Sequence, residues 1–146
     1  MNGTLSTNSA GSASVRLRSA FSFSESLARL RAALERKGFT IFAVIDHQAG
    51  ARSAGLDMPP TTVLIYGNPR GGTPLMLAAP DFGLELPLRV LVREDPDGAT
   101  WVTFNRASSL EGKHGLPAGM AERLAPAEAV IESAIAAPGT IPRPRT

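Results

Sequence analysis

Apolar and polar positions recur along this chain at two periods, and the places where the period changes mark out its elements. Val15, Leu17, Ser19 and Phe21 alternate with Arg16, Arg18 and Ala20, which predicts a short half-buried strand with its arginines outward. Ser22 or Ser24 then caps a helix, with Glu25 near the positive end of its dipole. Leu27, Leu30 and Leu34 fall at i, i+3 and i+7 and form one apolar stripe, while Arg29, Arg31, Glu35 and Arg36 take the wet side and Gly38 stops the helix. Phe39 to Ile45 is apolar on both faces apart from Thr40, the pattern of a central strand. Asp46 can cap a short helix of small residues over 47–54 that ends at Gly55. After a loop at 56–60, residues 61–66 read as a second buried strand.

Gly67-Asn68-Pro69-Arg70-Gly71-Gly72 is dense in breakers, and Thr73 with Pro74 at the first position opens a helix that runs until Pro80. Leu88, Val90 and Val92 then alternate with Arg89, Leu91 and Arg93; Asp95-Pro96-Asp97-Gly98 is a strong turn, and residues 86–106 are expected to form a β-hairpin. On its return strand Trp101 and Thr103 face away from Val102 and Phe104, so the indole serves packing or a dimer interface. A short helical piece at 107–113 precedes a helical run over 118–136, which Pro126 either kinks or divides. The order β-α-β-α-β-α-β-β-α predicts an α+β fold: a two-layer sandwich of a mixed or antiparallel sheet, with the helices mainly on one face. Residues 1–14 are expected to be a flexible leader, 15–137 a single domain and 138–146 a flexible tail.

Composition narrows the function classes. Of the 146 residues 43% are hydrophobic and 19% charged, which suits a soluble globular protein. The net charge of +2 is accounted for by Arg143 and Arg145 in the tail, so no nucleic-acid surface is expected. No cysteine is present, which removes disulfides, thiolate nucleophiles and the usual structural zinc sites. Neither a signal peptide nor a run of roughly 20 apolar residues is found. The cytoplasm is the expected location, with no membrane partner and no cofactor.

The concentrated polar chemistry falls where the two apolar runs stop: Asp46-His47 after the first, and Gly67-Asn68-Pro69 after the second. If the runs lie side by side with these ends at one rim, a pocket is framed by Asp46, His47, Asn68 and Thr73, with Tyr66 adding a hydroxyl. A carboxylate can orient an imidazole for general base work, or Asp46 can simply cap a helix whose first residue is His47. The glycines at 67, 71 and 72 can expose backbone N–H groups to an anion at the Thr73 helix start, or only permit a tight turn; neither Walker nor dinucleotide spacing is present. Met58 and Met76 fill gaps or line a pocket. A zinc site would need His47 and His114 together with carboxylates such as Asp46 or Asp81, and no metal is expected. Ser53, Ser108 and Ser109 lack the setting of a hydrolase nucleophile.

Taken together, Gly38-Phe39, Ile45-Asp46-His47, Ala51, Ala54-Gly55, Leu64 to Gly67-Asn68-Pro69, Gly72-Thr73-Pro74-Leu75-Met76, Leu86-Pro87-Leu88 and Glu94-Asp95-Pro96-Asp97-Gly98 resemble the domain of unknown function 302 family, small and mostly bacterial proteins. The resemblance runs from about Val15 to Ala137. It implies a two-layer α+β fold like half of a TATA-binding protein, and a homodimer; it implies no activity, and the likeness to a DNA-binding fold says nothing about DNA. Three functions follow as alternatives. The chain is a binding module for a small, anionic ligand; or an enzyme with His47 as base and Asp46 orienting it; or a structural or interaction protein whose strand-end polar groups only cap and turn.

Overall fold

The computed structural model describes residues 13–139. Five strands form one antiparallel sheet in the order β1-β5-β4-β3-β2: β1 (Ser14–Arg18), β2 (Thr40–Asp46), β3 (Thr61–Gly67), β4 (Leu88–Glu94) and β5 (Thr100–Asn105). α1 (Phe23–Arg36) and α4 (Pro126–Ile135) pack on one face of it. Of the expected leader only its last two residues are described, and Ser14 already opens β1; of the expected tail, only 138 and 139 are described.

The period-2 pattern decides which strand side chains are covered. Thr62, Leu64 and Tyr66 of β3, Val90 and Val92 of β4, and Val102 and Phe104 of β5 all turn toward the helices and are buried. Leu30 and Leu34 of α1 and Ala127, Ile131 and Ile135 of α4 close over them. Burial of each such large aliphatic side chain stabilises the fold by about 1.5–3 kcal/mol. α1 begins where its sequence says: the Ser22 hydroxyl accepts from the Glu25 N–H at 3.2 Å, and Glu25 and Arg36 sit at the favourable ends of the dipole. Trp101 lies on the opposite, helix-free face, as the alternation requires.

Two expectations change, and one that was left open is decided. β2 is an edge strand and not a central one, and Phe42, Val44 and Ile45 are 52%, 42% and 42% exposed. An apolar run on both faces describes the side chains, whereas strand order depends on contacts far away in sequence. The helix expected from Thr73 starts earlier: Asn68 caps α3 (Pro69–Ala78), with Pro69 as its first residue. Pro126 divides the last helical run, separating a 3₁₀ turn at Met120–Leu124 from α4. α3 and the 3₁₀ segments build a smaller second core around Leu75, Phe82, Leu110 and Leu116.

Candidate functional site

The two apolar runs do lie side by side, but antiparallel, so their polar ends point in opposite directions. Asp46 pairs opposite Thr62, and Thr40 opposite Gly67. The Asp46-His47 step therefore flanks the start of β3, and Asn68 follows its end, six residues beyond Thr62 and so about 20 Å away along a strand that rises ~3.4 Å per residue. The rim expected to gather Asp46, His47, Asn68 and Thr73 is not formed. Asp46 acts as the cap of α2 (His47–Ser53): its Oδ1 accepts from the Ala49 N–H at 2.9 Å, and His47 stands exposed in the first turn.

Tyr66 is 3% exposed and packs edge-to-face on Phe39, with ring centroids 5.5 Å apart. Burial, and secondarily the charge of Glu128, raises the phenol's pKa far above its ordinary value, so the hydroxyl stays protonated. Asn68 Oδ1 accepts from the Arg70 N–H at 3.0 Å, and the N–H groups of Gly71 and Gly72 both reach the Asn68 carbonyl at 2.9 Å. With a proline at the first position, no donor of this first turn is left for an anion, and the phosphate-cradle reading has no backbone to work with.

Asn68 and Thr73 instead border a groove of about 1000 Å³ between α1, α3 and α4. Its α1 wall is Arg29, Ala32, Ala33 and Arg36, which fall at i, i+3, i+4 and i+7 beside the buried leucine stripe. Its α4 wall is Pro126, Ala129, Val130, Ser133 and Ala134. Small residues on both helices leave the seam open where larger ones would fill it. Met76, Leu86, cis Pro87 and Leu88 supply apolar walls near α3.

Phe42 reaches the groove because the β2–β3 ladder slips at a bulge between Ile41 and Ala43, which re-aims the intervening side chain. Two glycines allow the close approaches that shape this end. A Cβ on Gly67 would stand 3.3 Å from the Phe42 ring, and one on Gly72 would stand 3.2 Å from Leu86 Cδ1.

The charge of the lining is one-sided: Arg29, Arg36, Lys37 and Arg123 take part, and no aspartate or glutamate does. Arg29 is partly engaged, since its Nε donates to Glu25 Oε2 at 3.0 Å and its guanidinium lies 3.8 Å from the Phe21 ring centroid. The helical period alone places Arg29 and Arg36 on the wet side of α1 and gives no sign of Lys37 or Arg123. The available signal was Ala32 and Ala33 set between Arg29 and Arg36 on one helical face. Met76 lines the groove; Met58 does not.

Elsewhere His114 Nε2 and Glu85 Oε2 are 2.7 Å apart, and the bond lowers the Glu85 pKa. Among the described residues no group of three or more histidine and carboxylate side chains is placed to hold a metal ion, and no helix is long and apolar enough to cross a membrane.

Residues 15–137 match the family Domain of unknown function DUF302. A crystal structure of an uncharacterized conserved DUF302 protein from Bacillus stearothermophilus superposes with a TM-score of 0.72 at 20% identity, covering 84% of this chain and 95% of that one. Curated relatives named Fluoride-specific ion channel FluC 1, from Brucella suis and Brucella abortus, are each 41% identical over 102 residues, or 70% of this chain. The chain spans only 40% and 38% of their respective lengths.

Proposed function

The chain belongs to the DUF302 family, and on that footing we propose that it is a cytoplasmic, homodimeric binding module that takes a small anionic ligand into the groove between α1, α3 and α4. The observation that carries this reading is the lining itself: four cationic side chains and no carboxylate around about 1000 Å³. A cleft walled by one sign of charge and by low-dielectric side chains focuses its field on an entering anion. Asn68 and Thr73 stay in the proposed site, where the Asn68 amide nitrogen keeps its donors for a ligand.

The enzyme alternative draws less support. One Asp46 oxygen is taken by the Ala49 N–H, and Asp46 and His47 stand in solvent at the far end of β3 from the groove. Support for a second copy comes from β2, an edge strand whose Phe42, Val44 and Ile45 remain exposed and which carries no charge or proline between Thr40 and Ile45.

The test is a thermal-shift series with phosphate, citrate and short carboxylates, which fluoride joins because the curated relatives are named as fluoride channels. A ligand at 100 times its Kd adds about 2.7 kcal/mol of stability, several degrees of Tm. An active anion should lose most of its shift in Arg36→Ala/Arg123→Ala and keep it in Arg52→Ala/Arg70→Ala, whose arginines lie outside the groove. Equal shifts in the two variants would remove the groove as the site.

A further inference from the structure

The groove is not evenly charged along its length. The Ala20 N–H donates to the Ile135 carbonyl at 2.9 Å, so α4 ends where α1 begins and the two helices run antiparallel. Arg36 and Lys37 at the end of α1 therefore share one end of the seam with Arg123, just ahead of α4. Thr40 pairs with Gly67, which brings Asn68 to the same end. Away from this cluster the helix walls are Ala32, Ala33, Ala129 and Val130, with Arg29 already held by Glu25.

A hydrated inorganic anion would meet the cations and leave those walls in water. The volume, about 1000 Å³, stands at the upper end of the roughly 300–1,000 Å³ typical of pockets for organic ligands. Phe42 adds an independent sign. It is 52% exposed, a bulge rather than the regular ladder aims it, and its ring borders the groove.

Resting on the anion-binding reading above, we propose that the ligand is a single-chain amphiphile with a carboxylate head. Arg36, Lys37 and Arg123 hold the head, and the alkyl chain lies in the seam against Ala32, Ala129 and Val130. Guanidinium groups bind a carboxylate through paired N–H donors, and the small seam residues leave the width that a methylene chain needs. The chain contributes by leaving water, so affinity should climb with its length until the seam is filled.

Calorimetric titration of the full chain with butanoate, octanoate and dodecanoate below their micelle concentrations, and with dodecan-1-ol, tests this. The expected result is a Kd that falls about fourfold per added methylene over part of the series, the equivalent of ~0.8 kcal/mol each. Dodecan-1-ol should bind at least about tenfold more weakly than dodecanoate, the loss of one charge-assisted contact. Arg36→Ala/Arg123→Ala should bring dodecanoate down toward the alcohol. Ala129→Trp, which plugs the seam from an exposed helix position, should flatten the dependence on length while short anions still bind; Ala32→Phe does the same from α1 if the first variant folds poorly. A Kd independent of chain length, with phosphate or citrate still bound through Arg36 and Arg123, overturns the amphiphile and leaves the anion site standing. No binding of any anion or amphiphile by the unaltered chain overturns both.

Discussion

The indole N–H of Trp101 donates to Asp95 Oδ2 at 2.6 Å, bridging the turn that joins β4 to β5. Arg93, opposite Trp101 in the ladder, pairs with the other oxygen of the same carboxylate, and the Arg16 guanidinium lies 4.3 Å from the indole centroid. One carboxylate thus ties the hairpin together on the sheet face that carries no helix. Arg93 first, and then Trp101 and the charge of Arg16, hold the Asp95 carboxyl below the usual carboxylate range. A group whose folded pKa is depressed stabilises above its unfolded pKa and loses that contribution as pH falls through the folded value. Thermal unfolding followed from neutral pH down to about pH 2 should therefore show an acid limb, beginning near the ordinary aspartate value of about 3.9, that is shallower in Asp95→Asn. An unchanged limb would mean that the carboxylate is as well solvated folded as unfolded.

His114 poses a local conflict between backbone and side chain. It adopts φ 57° inside the Lys113–Gly115 turn, a left-handed conformation that costs a non-glycine residue roughly 1–2 kcal/mol. Its ring nevertheless reaches Glu85, joining this turn to the Pro80–Glu85 segment. The hydrogen bond it gains there is worth about 0.5–1.5 kcal/mol. His114→Gly should therefore be neutral or raise Tm, since relief of the backbone offsets the lost bond, whereas His114→Ala keeps the strain, loses the bond and lowers Tm. If alanine proves the more stable of the two, the backbone conformation is not what limits this turn.

A buried hydroxyl pair fixes the path from β1 into α1. Ser19 Oγ and Ser26 Oγ lie 2.6 Å apart, with Ser26 fully buried, and Ser19 Oγ also accepts from the Phe21 N–H at 3.1 Å. Removing one partner leaves the other with only its Phe21 backbone contact, at a cost of about 0.5–1.5 kcal/mol for the lost bond. Ser26→Ala should fall in that range by urea unfolding, and Ser19→Ala/Ser26→Ala should be less destabilised than the sum of the single changes. Strict additivity would show that the two hydroxyls do not interact.

The elements that were legible in the sequence are those whose causes are local. Ser22 and Asp46 cap the helices they precede, Asp95 to Gly98 turns the hairpin, and the leucine stripe gives α1 its buried face. Asn68-Pro69 carried a readable helix start as well, a cap followed by a proline at the first position, but the glycines behind it drew the boundary to Thr73. What local pattern could not supply was the direction and order of the strands. Val44 and Ile45 read as the middle of a sheet and lie at its edge, and the antiparallel pairing of Asp46 with Thr62 separates His47 from Asn68. The groove was hidden for a different reason. It is made by Ala32, Ala129 and Ser133, side chains too small to close a seam, and an unfilled space leaves no hydrophobic signal in the sequence.

That same edge supplies the last prediction. β2 bonds only to β3, and Phe42, Val44 and Ile45 stay exposed along it, while Ile45 continues across the helix-free face through Val63 and Leu91. Natural edges are commonly blunted by lysine, proline or inward-pointing charge, and none of these occurs between Thr40 and Ile45. Pairing with the same strand of a second copy about a two-fold axis would satisfy its open backbone groups and cover these side chains. Light scattering at micromolar concentration should give twice the chain mass for the unaltered protein. Val44→Lys/Ile45→Lys should give the chain mass with little loss of Tm, because both positions are exposed before the change. A monomeric mass for the unaltered chain would end the homodimer proposal, and a dimer that survives both lysines would move the interface away from β2.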